Sequence, residues 1–483
     1  MNQSKRRKLL LVVSITYWAL VCMIFAIAHE NFDHVVVETE ALSGTMTTAE
    51  LTDGHELQQR IVVPADVVTE ISIKCAHYAA SGSMIHVEIY DESGILVGTA
   101  SSEIAALEGY KFCNFRLDEP IFDCRGNTLT VKLTTQGCIP GQAIIFFFGD
   151  SVTTGRFDVL RDITPEERFS LDGAPGQGKL SLKLVGIRVV KLQKTFWILS
   201  ASLFLIVALL VMRGVFLEKR GKQTVVIRIC NALITYQFLM KQLVNRDFKT
   251  KYKRSVLGLV WSFLNPLMTM AVQYFVFSAL FQSDTPHYAV YLLSGLILYN
   301  FFSEACTMGL TSITSNAALI KKVYVPKYIY PVTRVLSSAI NFALSLIPLL
   351  GIMLLSGLKI GPSLLLLIYD FLCMLMFIMG MVLILSTMMT FFQDTQFLWG
   401  VVSMMWLYLT PIIYPESIIP AKYMTIYHMN PMYQYVTFAR VCIIDGTSPA
   451  PTAYLWCFLS AFAFLVVGIL IFRKNQDKFV LHL

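Results

Sequence analysis

The residues that come nearest to a catalytic motif are Gly173–Lys179, which read G-A-P-G-Q-G-K. A phosphate-cradling loop uses such glycines so that backbone N–H groups can approach a nucleotide, with a lysine on its phosphates. The next residue here is Leu180, where the loop needs a Ser or Thr hydroxyl for magnesium, and no apolar strand precedes it. The segment therefore reads as a flexible loop, and no other nucleotide site is legible. Four cysteines, Cys75, Cys113, Cys124 and Cys138, fall in one polar stretch and permit two disulfides in three pairings. The other six lie in or beside apolar runs and read as packing groups. The eight histidines are scattered, with no zinc-ligand spacing and no Ser-His-Asp grouping. Three ionisable residues, Glu304, Asp370 and Arg440, sit inside apolar stretches, where a charge is costly and is either paired or functional. Arg440 reads either as a contact for a lipid phosphate or as a side chain snorkelling to the interface.

The elements that carry these groups are those of a chain made for lipid. Of 483 residues, 55% are hydrophobic and 15% charged, against about 25% charged in soluble domains. Apolar runs long enough to span a bilayer as helix predict eight spans. They are Leu9–Ala28, Phe196–Met212, Val256–Phe281, Tyr288–Leu310, Val332–Leu355, Ser363–Met389, Phe397–Tyr414 and Ala453–Phe472. Charge orients them. His29–Leu192 holds 13 basic and 23 acidic residues, and the rest of the chain 26 and 9. Basic flanks stay in the cytoplasm, so both termini are placed inside and residues 29–192 outside. The basic residues border apolar spans, which favours a lipid surface over nucleic acid.

The predicted organisation is a cytoplasmic tip and anchor helix over 1–28, an extracytoplasmic β-rich domain over 29–192, and a second span over 193–213. A basic amphipathic interface helix follows over 214–254, then a six-helix core over 255–483. In the outer segment, Glu70–Lys74, Met84–Tyr90, Ile95–Thr99, Tyr110–Leu117, Thr128–Leu133 and Ala143–Phe148 are β-branched or aromatic runs separated by turn signals. They predict a small antiparallel sandwich. Pro411, Pro415, Pro420 and Pro431 interrupt residues 411–435, which predicts two short re-entrant helices near the outer face. The fold class is an α-helical polytopic membrane protein of eight spans, two plus a core of six, with an inserted extracytoplasmic β-sandwich-like domain.

Several segments carry a resemblance. Asn245–Pro266 (NRDFKTKYKRSVLGLVWSFLNP), Tyr291–Ser303 (YLLSGLILYNFFS), Ser315–Pro326 (SNAALIKKVYVP), Phe392–Leu398 (FQDTQFL) and Leu409–Pro420 (LTPIIYPESIIP) occur in order. Asn430-Pro431 and Phe472-Arg473-Lys474 follow them. Over roughly residues 225–483 the chain resembles type-2 ABC exporter permeases, most narrowly those that export polysaccharides, teichoic acids and O-antigens. The first 220 or so residues depart from that family's plan. The resemblance implies a homodimer, two copies of a separate ABC ATPase subunit that carries ATP and magnesium, and a lipid-linked glycan substrate. It implies no catalysis on this chain and a location in a bacterial cytoplasmic membrane.

The resemblance also implies a coupling helix after the second core span, here Asn316–Pro326, with Lys321, Lys322, Val323 and Tyr324 facing the ATPase. Gln393 and Asp394 form a second contact, and Arg246 and Asp247 of the interface helix a third. A basic loop held near anionic lipid also explains the lysines, but coupling is favoured because the whole segment matches and not only its charges. Sugars stack on aromatic rings, so the candidate path residues are Trp261, Tyr274, Tyr299, Phe302, Trp406 and Tyr408, with Glu304 and Arg440. An exporter of a lipid or drug shares this pattern. A membrane glycosyltransferase would need an acidic cluster that this core lacks.

Overall fold

The computed structural model describes residues 3–38, 46–77, 82–107, 111–141, 143–149, 151–154, 159–162, 168–189, 193–219, 225–252, 258–281, 287–322, 325–416, 419 and 421–482. They form two compact units, one of Phe32–Gln193 with Ala421–Thr425, the other of the remaining chain.

The first unit is built of antiparallel strands. One sheet runs in the order His34–Glu38, Leu182–Val189, Val67–His77, Ile144–Gly149, Lys179–Leu180, with Lys111–Phe122 also paired to Val67–His77. The other runs Ala174–Pro175, Ser170–Leu171, Glu56–Val62, Thr128–Gln136, Met84–Tyr90, Leu96–Glu103. Alternation sends one face of each strand inward, and Ile71, Ile73, Phe115, Ile85, Val87, Val131 and Leu133 share one buried core. The first and last long strands pair with each other, His34 opposite Val189, so the chain enters and leaves this unit at one place. Glu56–Val62 and Leu182–Val189 were not predicted. In the former, Gln59 occupies an inward position and accepts a hydrogen bond from the Leu180 N–H at 3.0 Å, which breaks the apolar alternation.

The glycine-rich segment is not a loose loop. Ser170–Leu171 pairs with Ala174–Pro175 across Asp172 and Gly173, whose φ angles of 49° and 80° are those of a tight hairpin turn. Asp172 accepts from the Glu56 N–H at 2.9 Å and pairs with His55 at 2.6 Å. These donors hold its carboxyl below the usual range. Lys179 and Leu180 then pair with Gly149 and Phe148. A strand here, where a nucleotide loop would open a helix, leaves no phosphate cradle. All four cysteines of this unit are buried, and the sulfurs of Cys75 and Cys113 lie 3.5 Å apart.

The second unit is helical, with residues 421–425 of α10 counted in the first: α1 (Gln3–Asp33), α2 (Gln193–Lys219), α3 (Val225–Tyr252), α4 (Trp261–Phe281), α5 (Tyr288–Leu310), α6 (Ala317–Lys322), α7 (Ile329–Leu355), α8 (Leu367–Phe391), α9 (Thr395–Tyr408), α10 (Ala421–Met429), α11 (Pro431–Arg440) and α12 (Pro451–Asn475). Among the described residues, six helical stretches are long and apolar enough to cross a membrane: Leu11–His29, Lys194–Arg213, Tyr288–Leu310, Ile329–Leu355, Pro362–Phe391 and Pro451–His482. Two of the eight expected spans are not among these. Val256–Phe281 begins outside the described residues and retains the 21-residue α4. Phe397–Tyr414 is the 14-residue α9, about 21 Å long, and a turn beginning at Leu409 ends it before Pro411.

Helices α1 and α2 meet through rings, Tyr17 stacking on Phe204 at 5.5 Å and Phe25 tilted against Trp197 at 4.9 Å. Helix α5 is buried almost all round and packs against α4, α7 and α8. Helices α8 and α12 approach through glycines. A Cβ on Gly380 would lie 2.3 Å from the Phe464 carbonyl oxygen, and one on Gly468 2.4 Å from the Gly380 oxygen. Small residues permit such contact, which is what joins helices in lipid. A core of Leu243, Ile313, Val325, Ile329, Tyr330, Leu383, Phe472 and Phe479, against which Leu319 and Ile320 of α6 pack, ties α3, α7, α8 and α12 together.

Candidate functional site: a polar chamber joined to a basic surface segment

Four helices place polar residues on one side at helical spacing. On α4 these are Trp261, Asn265 and Thr269, on α5 Asn300, Glu304 and Thr307, on α7 Arg334, Asn341 and Ser345, and on α3 Asp247 and Lys251. Residues three, four or seven apart share a helix face, so otherwise apolar helices turn a polar stripe to a common cavity of about 1170 Å³. Lys251 lies 2.7 Å from Glu304, and Asn341 donates to the same carboxylate oxygen at 2.7 Å. Three cations, Arg246, Lys251 and Arg334, face two carboxylates, Asp247 and Glu304, so the chamber carries a positive excess. Amides, hydroxyls and one indole supply donors, acceptors and a flat ring for an uncharged polar ligand.

At one end the chamber is tied to the segment around α6. Asp247 is buried and pairs with Arg334 at 2.9 Å and Arg246 at 3.1 Å. Arg246 donates to Asn316 at 3.4 Å, Arg334 to Ser315 at 3.3 Å, and Asn316 to the Ser312 carbonyl at 2.8 Å. Asp247 and Asn316, expected at a subunit contact, are buried and make their ion pairs and hydrogen bonds within the chain. They hold the segment in place. Arg246 is half exposed, and Lys321 and Lys322 are exposed at the end of α6. Val323 and Tyr324 lie outside the described residues. Pro326 starts the turn into α7, its carbonyl accepting from the Ile329 N–H. Gln393 and Asp394 are exposed in the turn between α8 and α9.

The segment after α9 holds the other charged candidate. Arg440, read as a lipid or substrate contact, is instead buried, its fork turned onto backbone. It donates to the carbonyls of Pro411 at 2.7 Å, Ile412 at 3.0 Å and Tyr291 at 3.2 Å, with its guanidinium 3.4 Å from the Tyr291 ring centre. Tyr288 donates to the Ile413 carbonyl at 2.7 Å and Tyr291 to that of Tyr414 at 2.9 Å. Four consecutive non-helical carbonyls are therefore satisfied by three side chains, the condition for irregular backbone within apolar surroundings. Gly295 leaves room for it, since a Cβ there would lie 2.8 Å from Arg440 Nη2. Asn430 caps α11 by accepting from the Met432 N–H at 3.0 Å, accepts from Trp406 at 2.7 Å, and donates to Thr410 at 2.9 Å.

The aromatic candidates separate accordingly. Trp261 lines the chamber with Glu304. Tyr408 lies on an exposed apolar face of α9 with Val401, Met404 and Met405. Phe302 is fully buried among Phe377, Trp399 and Trp406. Tyr299 donates to the Ser403 carbonyl, and Tyr274 packs on Tyr288. Asn265, Asn300, Asn341 and Ser345 were missed. Their signal is a polar residue at helical spacing inside an apolar run.

An apolar helical bundle with a polar chamber, fixed to a short basic segment, is the architecture of an integral membrane protein with a polar interior. The ABC-2 type transporter family profile matches residues 238–444. The chain is 30% identical over 248 residues, half of its length and 93% of the relative's, to the O-antigen export system permease protein RfbA of Klebsiella pneumoniae. It is 27% identical to the RfbA permease of Myxococcus xanthus, over 52% of this chain and 98% of that one. It is 20% identical to the polysialic acid transport protein KpsM of Escherichia coli, over 48% and 91% respectively. The chain belongs to the ABC-2 type transporter family.

Proposed function

We propose that this chain is the permease subunit of an ATP-driven exporter that moves a lipid-linked polysaccharide outward across the cytoplasmic membrane of a bacterium. Two copies form the path, and two copies of a separate ATPase subunit bind ATP and magnesium. The observation that carries this reading is the continuity from segment to chamber. Lys321 and Lys322 stand exposed at one end, and Asp247 with its two arginines joins that segment to the helices around Glu304. A push on α6 is then delivered to the chamber wall rather than absorbed by a loose loop. The polar lining suits a hydroxyl-rich polymer. The names of the relatives, O-antigen and polysialic acid permeases, support that substrate class. In this reading the core has six spans including α4 and α9, both termini are cytoplasmic, and the sheet unit is outside.

The test is the triple variant Lys321→Ala, Lys322→Ala, Tyr324→Ala, assayed for glycan export and for ATPase activity of the assembled complex. The expected result is lost export with ATPase activity no longer responsive to the permease. Unchanged export and coupling would remove the α6 segment from the mechanism.

A further inference from the structure

The sheet unit places two of its four thiols against each other. Cys75 lies on Val67–His77 and Cys113 on the neighbouring Lys111–Phe122. The register pairs Ile73 with Cys113 and Cys75 with Lys111, so the cysteines are diagonal neighbours on the inward face. Their sulfurs are 3.5 Å apart, and both are buried. Cys124 turns elsewhere, its thiol donating to the carbonyls of Ile121, Asp66 and Ala65 at 3.4 to 3.6 Å. Cys138 is separately buried, with Thr135 and Ser83 beside its thiol.

We propose that Cys75 and Cys113 are joined by a disulfide in the exported sheet unit, and that Cys124 and Cys138 remain thiols. The proposal rests on the outward placement of this unit given above. It reduces three pairings and two bridges to one pairing and one bridge. A disulfide of a thiol–disulfide oxidoreductase accepts the electrons. One cysteine thiolate attacks it to form a mixed disulfide, the second displaces the enzyme's thiol, and two protons and two electrons leave the pair. Mutual hydrogen bonding and burial push the Cys75 thiol up. Reaction therefore belongs to folding, before the core closes, and the finished bond is shielded from reductant. Bond formation closes the sulfurs from 3.5 Å to ~2.05 Å, and because diagonal neighbours sit about 7–8 Å apart the two strands draw together as it forms.

The test uses the full-length protein from cells quenched with an alkylating agent, denatured, and mapped by mass spectrometry with and without reductant. Of the ten cysteines, the expected result is eight alkylated before reduction and ten after, with one crosslinked peptide joining Cys75 to Cys113. All ten alkylated before reduction, or a bridge through Cys124 or Cys138, overturns it. A Ser93→Cys variant probed with a membrane-impermeant maleimide separates the two causes of failure. Labelling from outside with both thiols reduced means that the pairing is wrong. No labelling from outside means that the placement of the unit is wrong.

Discussion

The Nη1 atom of Arg440 lies 2.7 Å from the carbonyl oxygen of Pro411, and this bond anchors a fork that also holds Ile412 and Tyr291. A lysine keeps the charge and loses the planar fork. Arg440→Lys leaves at least one buried carbonyl unpaired, at about 1–3 kcal/mol each. The expected outcome is a lower unfolding temperature in detergent and loss of export, with Arg440→Met worse than lysine. An unchanged unfolding temperature for Arg440→Lys would reject the structural role.

The six predicted strands were legible because Met84–Tyr90 and its neighbours alternate cleanly between inward and outward faces. Glu56–Val62 was hidden by the buried Gln59. Apolar runs exposed most of the long helices, but run length could not show that α9 stops at Tyr408, because Pro411–Tyr414 is as apolar as a helix and is held by distant side chains. The same limit misplaced Arg440. A charged residue in an apolar stretch announces that it has a partner, and sequence does not say that the partner is backbone 29 residues away. The chamber was half visible through Glu304 and Trp261. Its asparagines were missed because each is unremarkable until four helices bring them together.

Gly380 and Gly468 set the distance between α8 and α12. Because an added Cβ at either would overlap backbone of the other helix, neither contact can relax by a rotamer change. Gly380→Ala and Gly468→Ala are each expected to cost about 1–3 kcal/mol, read as reduced monodisperse yield and a lower unfolding temperature. Gly351, where an added Cβ would meet nothing within 4 Å, is the control, and Gly351→Ala should leave both unchanged.

Asp247 bridges two arginines while almost wholly buried. Removing one partner of a buried pair is worse than removing both, because the remaining charge is uncompensated. Asp247→Asn should therefore impair function more than Arg246→Ala, whose side chain is half in water. The expected pattern is ATPase activity retained in the assembled complex while export falls, since the segment still docks but no longer moves the chamber wall. Equal loss of ATPase activity and export would instead indicate that Asp247 serves assembly.

Lys251 and Glu304 meet across the chamber at 2.7 Å, one on α3 and one on α5. Their side chains are 44% and 28% exposed, so water screens the pair and its direct coupling should be modest, about 0.5–1 kcal/mol. Lys251→Glu places two carboxylates side by side, and Glu304→Lys two ammonium groups. Each single reversal should lower export several-fold. The double variant restores attraction in the opposite sense, and Asn341, now beside a lysine, can turn its amide oxygen to accept where its nitrogen donated before. Export by the double variant should exceed that of either single variant. This comparison isolates the pair, because a site needing a carboxylate specifically at 304 to bind the polymer would leave the double variant as inactive as Glu304→Lys alone.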